Sequence, residues 1–354
     1  MEGDTSQGSH RPARWLIRGH PGPPSSVTES PNVLLVGLGR WGEKHLRVLR
    51  ELGATVWVAD VSASRRAWAV QHGVGAARAV DDYHSVLDRV DAVDIVTPAD
   101  SHLAIAETCL RAGRPCFVEK PLTVSAADGR RLATVAQATG RVLQVGHIFR
   151  FHPVTAAIRT ALMAGRLGRR RFATGRFAGF KRPRTDVGVT HTDAIHYFDL
   201  FAYLFDHPAT RVSAVQRDYL GRGLDDMSVT MVEYGNVPAL IEANYFVPGS
   251  WRECVIVGER GSLVADFGSG AVALYEGEFR QRAGAWEAVD LGKETLTTTT
   301  DEPLRLELSA FIDACAGKAP VPVTVADGVR AVEVVEAAER AARLGRAVTI
   351  DEIR

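Results

Sequence analysis

Two histidines and two acidic residues lie close together in the segment GVTHTDAIHYFDLF, residues 188–201. Histidine titrates near neutral pH, so it can take the hydroxyl proton of an alcohol whose carbon loses a hydride. The apolar spacing predicts a helix, on which Thr192 and Asp193 lie four and three residues before His196 and share its face. His196 is therefore one candidate for such a base, and Asp193 or Thr192 could orient its imidazole or the substrate.

The other two polar residues of this segment fit structural roles. His191 lies five residues before His196, about 140° away around a helix, and is expected to be a polar loop or cap residue. Asp199 follows His196 by three residues and is expected to pack against or orient the helix. His196 itself has an alternative interpretation as a core histidine bonded to a main-chain carbonyl, because apolar residues flank it.

Lys120 ends a second segment of interest, PCFVEKP at 115–121. The carboxyl ends of buried parallel strands are where open α/β sheets bind ligands. Pro121 disfavours helical angles at Lys120 and makes a cis bond accessible, which would direct the lysine across the crevice. A partly desolvated ammonium group there would stabilise a developing alkoxide. The alternative is a solvated lysine at the rim of the sheet.

A GxGxxG pattern, VGLGRWG at 36–42, follows a predicted strand and opens a predicted helix. Its glycines allow a tight turn and the close approach of a pyrophosphate, to which the helix N-terminus offers amide donors. Asp60 ends the next strand and is expected to bond the ribose hydroxyls, which favours NAD over NADP. Arg65 and Arg66 keep NADP possible, and a turn without a ligand or an adenosylmethionine site remains an alternative. The predicted cofactor contacts here are Gly37, Leu38, Gly39, Arg40, Trp41, Gly42 and Asp60.

Short β-branched runs alternate with helical stretches in the first half of the chain, which is typical of βαβ units on a parallel sheet. Ser101 is expected to cap a helix that ends before Gly113, and Ser125 with Asp128 a helix that ends at Gly140. The predicted strands are NVLLVGLG at 32–39, TVWVAD at 55–60, AVDIVTP at 92–98, PCFVEKP at 115–121 and RVLQVG at 141–146.

Strands and longer helices alternate after about residue 150, and a hairpin is predicted near Gly235 and Asn236. The expected fold class is therefore α/β, with an N-terminal doubly wound Rossmann sheet and a C-terminal α+β domain whose sheet is open and mostly antiparallel. The expected divisions are a disordered leader over residues 1–30, an NAD(P)-binding Rossmann domain over 31–150, and a substrate-binding and oligomerisation domain over 151–354. Its final helices could pack back on the Rossmann domain.

The composition excludes several classes of partner. Lysine plus arginine equal aspartate plus glutamate at 42 each, so the chain has no net attraction to nucleic acid or to an anionic membrane. No stretch approaches the roughly eighteen apolar residues that span a bilayer. The four cysteines are scattered, without the spacing of a disulfide framework or a metal site. We expect a cytoplasmic protein that binds a small polar metabolite, with no metal, nucleic acid or membrane partner.

Three motifs occur in an order that resembles the Gfo/Idh/MocA family of oxidoreductases: VGLGRWGEKHL, TPADSH at 97–102 and VEKP at 118–121. The resemblance implies a nicotinamide dinucleotide and the oxidation or reduction of a sugar-like alcohol. It also implies that Thr97, Pro98 and His102 lie along the cofactor. Glu119 and Lys120 would then lie beside the nicotinamide, with Lys120 catalytic.

The second half of the chain departs from the family pattern at one position. In many family members an aspartate lies four residues before a histidine that serves as acid and base. Aligned in this way, His196 takes the position of the histidine, and Thr192 stands where the aspartate is expected. Asp193 is the nearest acid that could take over its role.

The segment GRLGRRRFATGRFAGFKRPRTDVGV, residues 165–189, is rich in basic residues. Arginine binds phosphate bidentately, and DVGV at 186–189 resembles the equivalent segment of nucleotide-linked N-acetylhexosamine 3-dehydrogenases, which favours a nucleotide sugar. Arg150 and His152 are further candidates for substrate contact. The alternative is a solvated edge strand. The basic residues considered are Arg169, Arg170, Arg171, Arg176, Lys181, Arg182 and Arg184.

Other functions stay open from the sequence. The substrate could be a cyclitol such as inositol or a sugar phosphate, and the enzyme could work as a keto-sugar reductase. With Thr192 at the aspartate position, a non-catalytic NAD-binding sensor is a further alternative, against which the presence of both Lys120 and His196 speaks. The family and the alternating pattern of MSVTMVEYG lead us to expect a homodimer or homotetramer.

Overall fold

The computed structural model describes residues 30–354. The leader expected over residues 1–30 lies outside the described residues, apart from its last position. In the part described, no helix is long and apolar enough to cross a membrane.

Six parallel strands form the first sheet, and the five strands predicted for this half of the chain are among them. The strands are β1 (Asn32–Val36), β2 (Thr55–Ala59), β3 (Ala79–Val80), β4 (Ala92–Ile95), β5 (Cys116–Glu119) and β6 (Leu143–Gly146). They lie in the order β3-β2-β1-β4-β5-β6. The order reverses between β1 and β4, so a crevice for a ligand opens at the carboxyl ends of these two strands. The Rossmann sheet predicted from the sequence is confirmed.

Four helices connect these strands: α1 (Arg40–Glu51), α2 (Ala63–Gln71), α3 (His102–Arg111) and α4 (Ala126–Thr139). The predicted start of α4 is confirmed, because the Ser125 side chain accepts a hydrogen bond from the N–H of Asp128. The predicted side-chain cap on α3 is wrong. Ser101 has helical angles, and its hydroxyl bonds Thr97 and Pro98 instead of the first amides of the helix.

Nine strands form the second sheet, in which only β7 and β10 run parallel as neighbours. They are β7 (Arg170–Gly179), β8 (Ala209–Arg217), β9 (Met227–Tyr234), β10 (Val237–Asn244), β11 (Ser250–Gly258), β12 (Gly261–Asp266), β13 (Ala271–Arg282), β14 (Ala285–Leu296) and β15 (Val348–Thr349). Their order is β14-β13-β12-β11-β7-β10-β9-β8-β15. The predicted hairpin joins β9 to β10 through Gly235, whose φ of 60° lies in the left-handed region. The mostly antiparallel sheet predicted for this half is confirmed.

Helices cover one face of the second sheet: α5 (Pro153–Met163), α6 (Ile195–Phe205) and α8 (Val325–Leu344). Tyr197 and Phe201 of α6 pack with Val232 and Ile241 of the sheet in one core. The opposite face is open and exposes Val229, Met231, Leu240 and Val264, at alternate positions of their strands.

The C-terminal helices also contact the first half of the chain. Leu304 and Phe311 of α7 (Pro303–Cys315) share a core with Leu49 of α1. Val329 of α8 packs in another core with Leu122, just beyond β5. These contacts bring α7 and α8 against the elements that carry the cofactor crevice.

A π-helical turn, Thr190–Ala194, leads into α6. The N–H of Ile195 donates to the carbonyl of Thr190, five residues earlier, and the Thr190 side chain and N–H are held by Asp225. The sequence pattern predicted a regular helix in this region and gave no sign of the wider turn. Such turns are frequent at functional sites, because they change the angular spacing of the side chains.

Candidate active site

A cavity of about 1320 Å³ extends from the glycine-rich turn after β1 to the π-helical turn before α6. It therefore runs from the crevice of the first sheet to the covered side of the second. Most of the site residues predicted from the sequence line it. They are Gly37, Gly39, Arg40, Trp41, Asp60, Thr97, Pro98, His102, Glu119, Lys120, Thr192, Asp193 and His196, whereas Leu38, Gly42 and Arg150 are absent from the lining.

The glycine-rich turn has the shape that a dinucleotide requires. Gly37 has a φ of 94°, and a Cβ atom on Gly42 would lie 2.2 Å from the carbonyl oxygen of Gly37, so only glycine fits at these two positions. A Cβ atom on Gly39 would meet nothing within 4 Å. Gly39 also begins α1 as its N-cap, so the free amides of that helix face a space where a pyrophosphate fits.

Asp60 follows β2 and lines the cavity with its carboxylate already held in place. One oxygen accepts the N–H of Leu38 and the other the N–H of Ser62. The two arginines that kept NADP possible are both engaged elsewhere. Arg65 forms an ion pair with Glu43, and Arg66 donates to the carbonyl of Asp60. The arrangement fits the two ribose hydroxyls of NAD better than a 2′-phosphate.

His102 joins the two loops that flank the predicted nicotinamide position. Its Nδ1 lies 2.9 Å from the carbonyl oxygen of Pro121, and its Nε2 lies 3.0 Å from that of Thr97. Burial lowers the pKa of His102, against the raising effect of these carbonyls, so the ring is neutral near pH 7 and donates to one of them. His102 therefore ties the cavity wall together as well as lining it.

Lys120 reaches from the end of β5 to the turn before α6. Its ammonium group donates a 2.7 Å hydrogen bond to the main-chain carbonyl of Thr192. The bond between Lys120 and Pro121 is cis. Burial lowers the pKa of Lys120 to about 8, although the carboxylates of Glu119 and Asp193 act in the opposite direction. A lysine with this pKa can both stabilise an alkoxide and exchange a proton near neutral pH.

His196 lies between two aromatic rings on the cavity wall. The centre of its ring lies 4.6 Å from that of Phe149 and 5.2 Å from that of Phe177, with both rings stacked. Burial, followed by the positive charge of Lys120, lowers the pKa of His196 well below its usual value. The imidazole is therefore neutral near pH 7, as a proton acceptor must be.

The two residues expected to assist His196 have other partners. Asp193 forms an ion pair with Lys181, at 2.7 Å. In the part of the chain that the structure describes, Asp193 makes no hydrogen bond to His196. The hydroxyl of Thr192 lies 2.8 Å from that of Tyr245. A neutral pair of hydroxyls thus occupies the position where the family pattern leads one to expect a carboxylate.

Arg150 and Asp199 form a buried pair behind the cavity. The Arg150 guanidinium donates through its Nε to Asp199 at 2.8 Å and lies 3.3 Å from Asp327. Two carboxylates therefore hold Arg150, whereas His152 lines the cavity. His191 is buried in the π-helical turn and bonds the carbonyl of Val124.

The basic segment divides between two cavities. Lys181, Arg182 and Arg184 line the large one, where Arg184 is paired with Asp186. Arg176 lies on the sheet, 3.3 Å from Glu242. The remaining three, Arg169, Arg170 and Arg171, line a separate cavity of about 720 Å³ near the β9–β10 hairpin.

Sequence reasoning missed three residues that contact the predicted site. Tyr245 lines the cavity, and a buried pair of His45 and Asp94 lies next to Glu119. Two signals were available. Asp94 interrupts an otherwise apolar strand, and His45 lies three residues after the last glycine of GxGxxG, on the face of α1 that turns to the sheet.

Comparisons with known proteins agree with this architecture. The family model described as "Oxidoreductase family, NAD-binding Rossmann fold" matches residues 31–147, and its partner, "Oxidoreductase family, C-terminal alpha/beta domain", matches residues 167–350. The chain is an NAD-binding oxidoreductase with two domains. It belongs to the Gfo/Idh/MocA family.

Two curated relatives each share 30% identity with the chain. UDP-N-acetylglucosamine 3-dehydrogenase from Acidithiobacillus ferrooxidans matches over 308 residues, which are 86% of this chain and 94% of that protein. Inositol 2-dehydrogenase 1 from Saccharopolyspora erythraea matches over 339 residues, 90% of this chain and 95% of its own length. The solved structure of the A. ferrooxidans enzyme superposes with a TM-score of 0.77 at 26% identity and covers 89% of this chain and 98% of that one. This chain is a dehydrogenase of the same family, and its cofactor is NAD.

Proposed function

We propose that this dehydrogenase uses NAD to oxidise a secondary hydroxyl group of a nucleotide-linked sugar. The observation that carries the proposal is that one cavity is lined by Lys120 and His196 and also by three cations, Lys181, Arg182 and Arg184. Guanidinium groups bind phosphate oxygens bidentately, and a nucleotide sugar offers two linked phosphates. The similarity to a UDP-N-acetylglucosamine 3-dehydrogenase supports the same substrate class.

The proposed reaction uses His196 as the base and Lys120 as the electrostatic partner. The substrate hydroxyl bonds both side chains, and neutral His196 takes its proton while the Lys120 ammonium stabilises the negative charge that develops on the oxygen. The carbon atom loses a hydride and becomes a carbonyl carbon. Gly37, Gly39 and Asp60 would hold NAD, which would supply the acceptor for that hydride and its electron pair. The reverse reaction, reduction of a keto sugar, would use the same groups.

Thr192 and Tyr245 are proposed to orient the sugar ring, and Asp193 to hold Lys181 at the cavity wall. The hydroxyl pair can donate to and accept from neighbouring sugar hydroxyls without adding charge. The Asp193–Lys181 ion pair is only partly exposed, so it also fixes the segment after β7 that carries the other two cations. Arg150 is proposed to support α6 through Asp199 and not to contact the substrate.

A free cyclitol is the second candidate substrate. Lys181 is paired with Asp193 and Arg184 with Asp186, which leaves less positive charge for phosphates than the sequence suggests. The similarity to an inositol 2-dehydrogenase supports this candidate. Arg182 is the residue by which the two candidate substrates can be told apart. It lines the cavity and has no ion-pair partner among residues 30–354, so its charge is available to a phosphate.

Initial rates of NADH formation at 340 nm separate the two candidates. UDP-N-acetylhexosamines, inositols and sugar phosphates would be offered with NAD. If the substrate is a UDP-sugar, Arg182→Ala is expected to raise KM for it at least about tenfold, because one charge-assisted contact is lost. Arg171→Ala is the matched control, because Arg171 belongs to the same segment but lines the other cavity. Turnover on inositols alone, unaffected by Arg182→Ala, would favour the cyclitol.

Thermal shift with UDP tests phosphate recognition without turnover. Millimolar UDP is expected to raise the melting temperature of the wild type and of Arg171→Ala, and to have less effect on Arg182→Ala. The absence of any shift in the wild type would count against a nucleotide-linked substrate.

Two further features of the proposal concern assembly and compartment. The open face of the second sheet exposes apolar side chains such as Met231 and Leu240, which supports a homodimer or homotetramer. A monomer in sedimentation at micromolar concentration would contradict this. The four cysteines are free, which supports a reducing compartment such as the cytoplasm.

A further inference from the structure

His45 of α1 is completely buried, and carboxylates lie on two sides of its ring. Its Nδ1 lies 2.8 Å from an Asp94 oxygen, and its Nε2 lies 3.3 Å from Oε1 of Glu119. Asp94 comes from β4 and Glu119 from the end of β5, so three separate elements converge on this cluster. Buried carboxylates are costly unless they are paired. A positive charge on the imidazole satisfies both.

The contacts continue from this cluster to Lys120. Oε1 of Glu119 also accepts the indole N–H of Trp41, at 2.8 Å, and Oε2 accepts the main-chain N–H of Lys120, at 3.0 Å. Trp41, Glu119 and Lys120 all line the large cavity. The orientation of the Glu119 carboxylate is therefore fixed from one side by His45 and Trp41 and from the other by the residue proposed to stabilise the alkoxide.

The charges of this cluster depend on one another. Burial alone would lower the pKa of His45, but Asp94 and Glu119 outweigh it and raise the pKa to about 10. Burial alone would raise the pKa of Glu119, but the His45 imidazolium 3.3 Å away leads the contributions that lower it. His45 and Glu119 thus keep each other ionised near neutral pH.

Other ionisable groups face the two ends of the cluster. At the inner end is Glu307 of α7, whose pKa is raised well above its usual value by burial and then by the charge of Glu119. At the outer end, Asp193 raises the pKa of Lys120, and Arg184 and Lys181 lower it. Glu119 is the carboxylate that acts on Lys120 most strongly from the first sheet.

We propose that His45, with Asp94 behind it, is a positioning residue for the hydride transfer: as an imidazolium it holds Glu119 ionised and in place beside Lys120. The ionised Glu119 in turn keeps Lys120 in its ammonium form at the working pH. This inference rests on the role proposed above for Lys120. A histidine that only stabilised the core would leave the proton affinity of Lys120 unchanged.

Histidine NMR tests the first step without any substrate. In protein labelled with ¹³C-histidine, the His45 signal is the one lost in His45→Gln, a variant that keeps a side-chain donor. The signal is expected to be that of an imidazolium up to pH 8 and beyond. A neutral His45 ring at pH 7 would overturn the proposal.

Lysine NMR tests the second step. The chain contains only five lysines, so the signal of Lys120 can be assigned as the one lost in Lys120→Met. His45→Gln is expected to lower the pKa of Lys120 by at least about half a unit, because Glu119 takes up a proton more readily. Asp94→Asn keeps the His45 ring but makes it less readily protonated. This variant should therefore lower the pKa of Lys120 less than His45→Gln does. Tyr234→Phe, which removes a buried bond to the Phe198 carbonyl, serves as the control and should leave it unchanged.

The outcomes separate this inference from the proposed function. An unchanged pKa of Lys120 in both His45→Gln and Asp94→Asn would refute the positioning role, whatever the substrate is. Near wild-type turnover by Lys120→Met would instead refute the proposed role of the lysine. Once a substrate is identified, His45→Gln is expected to lower kcat at least about tenfold, while KM for NAD changes less than about threefold. A variant that loses only NAD binding would contradict a positioning role for His45.

Discussion

The ammonium group of Lys120 donates its hydrogen bond to the main-chain carbonyl of Thr192, not to a side chain. This bond joins the loop after β5 to the π-helical turn that precedes His196. Because the acceptor belongs to the main chain, the contact does not depend on which residue occupies position 192. Lys120 therefore stays tied to the turn even where the side chain at position 192 differs from the aspartate that the resemblance leads one to expect.

The side chain of Thr192 is therefore expected to matter for substrate orientation and little for Lys120. Thr192→Val removes its bond to Tyr245 and keeps the carbonyl, and the loss of one neutral hydrogen bond costs about 1 kcal/mol. We expect KM for the substrate to rise about fivefold, with KM for NAD unchanged. Tyr245→Phe should have the same effect, and the double variant should be no worse than either, since the two hydroxyls act as a pair. Fully additive losses in initial-rate measurements would contradict a shared role.

The rate of oxidation is expected to depend on pH through His196 and Lys120. His196 must be neutral to accept a proton, and its lowered pKa keeps it neutral down to a pH below its usual titration range. Lys120 must be protonated to stabilise the alkoxide, and its pKa is about 8. The profile of kcat/KM should thus form a plateau that falls at acid pH and again above about pH 8. A profile still rising at pH 9 would exclude an essential Lys120 ammonium.

The strands and turns of the first sheet could be predicted because the residues that specify each of them are close together in the sequence. The runs around Leu34, Trp57 and Val118 are apolar and short, and the glycines of GxGxxG mark the turn directly. The short strand β3 carried only two residues, Ala79 and Val80, and was missed. Local pattern thus gave the fold class, and most of the site residues expected from the sequence line the large cavity.

The pairings inside the site could not be predicted, because they join residues far apart in the chain. Thr192 meets Tyr245 across 53 positions, and His45 meets Asp94 across 49. The geometry of a regular helix assigns Asp193 to His196, but the chain forms a π-helical turn there, and Lys181 approaches from the segment after β7. A change of hydrogen-bond offset within a helix is decided by tertiary packing, on which the apolar periodicity carries no information.

Glu307 is expected to make the stability of the protein fall with rising pH. It is completely buried and its carboxyl group makes no hydrogen bond to any residue between 30 and 354. Burial, then the charge of Glu119, raises its pKa well above the usual value, so the folded state binds a proton that the unfolded state has lost. Stability contributed in this way is present at low pH and declines as the pH rises above the ordinary pKa of a glutamate.

Glu307→Gln removes this titration and nearly preserves the volume of the side chain. The melting temperature of the variant relative to the wild type should rise between pH 5 and pH 8, by about 1 °C or more, since about 1 kcal/mol shifts the midpoint of a chain of this length by roughly 1.3 °C. Glu302→Gln is the control at the N-cap of the same helix, because Glu302 is partly exposed and paired with Arg47. An equal difference in melting temperature at both pH values would show that Glu307 is not protonated in the folded state.

Cofactor choice is expected to depend on Glu43 as well as on Asp60. Asp60 would repel a 2′-phosphate, and Glu43 holds Arg65, one of the nearby arginine side chains that could bind it. Because this ion pair is about one third exposed on both sides, it contributes little to stability and can be removed without unfolding the protein. Asp60→Ser alone should weaken NAD binding, since two loop amides lose their acceptor, and gain little for NADP.

The double variant Asp60→Ser, Glu43→Gln is expected to shift the ratio of kcat/KM for NADP over NAD at least about a hundredfold toward NADP. Two terms of about 1.4 kcal/mol each give that factor, one from the removed repulsion and one from the released guanidinium. The measurement is the NADP and NAD dependence of the initial rate, supported by binding titrations of NADPH and NADH. Adding Arg65→Ala to the double variant should remove about half of the gain on the logarithmic scale. If the triple variant kept the full preference for NADP, Arg65 would not be the group that Glu43 withholds, and Arg66, which now bonds the Asp60 carbonyl, would be the next residue to vary.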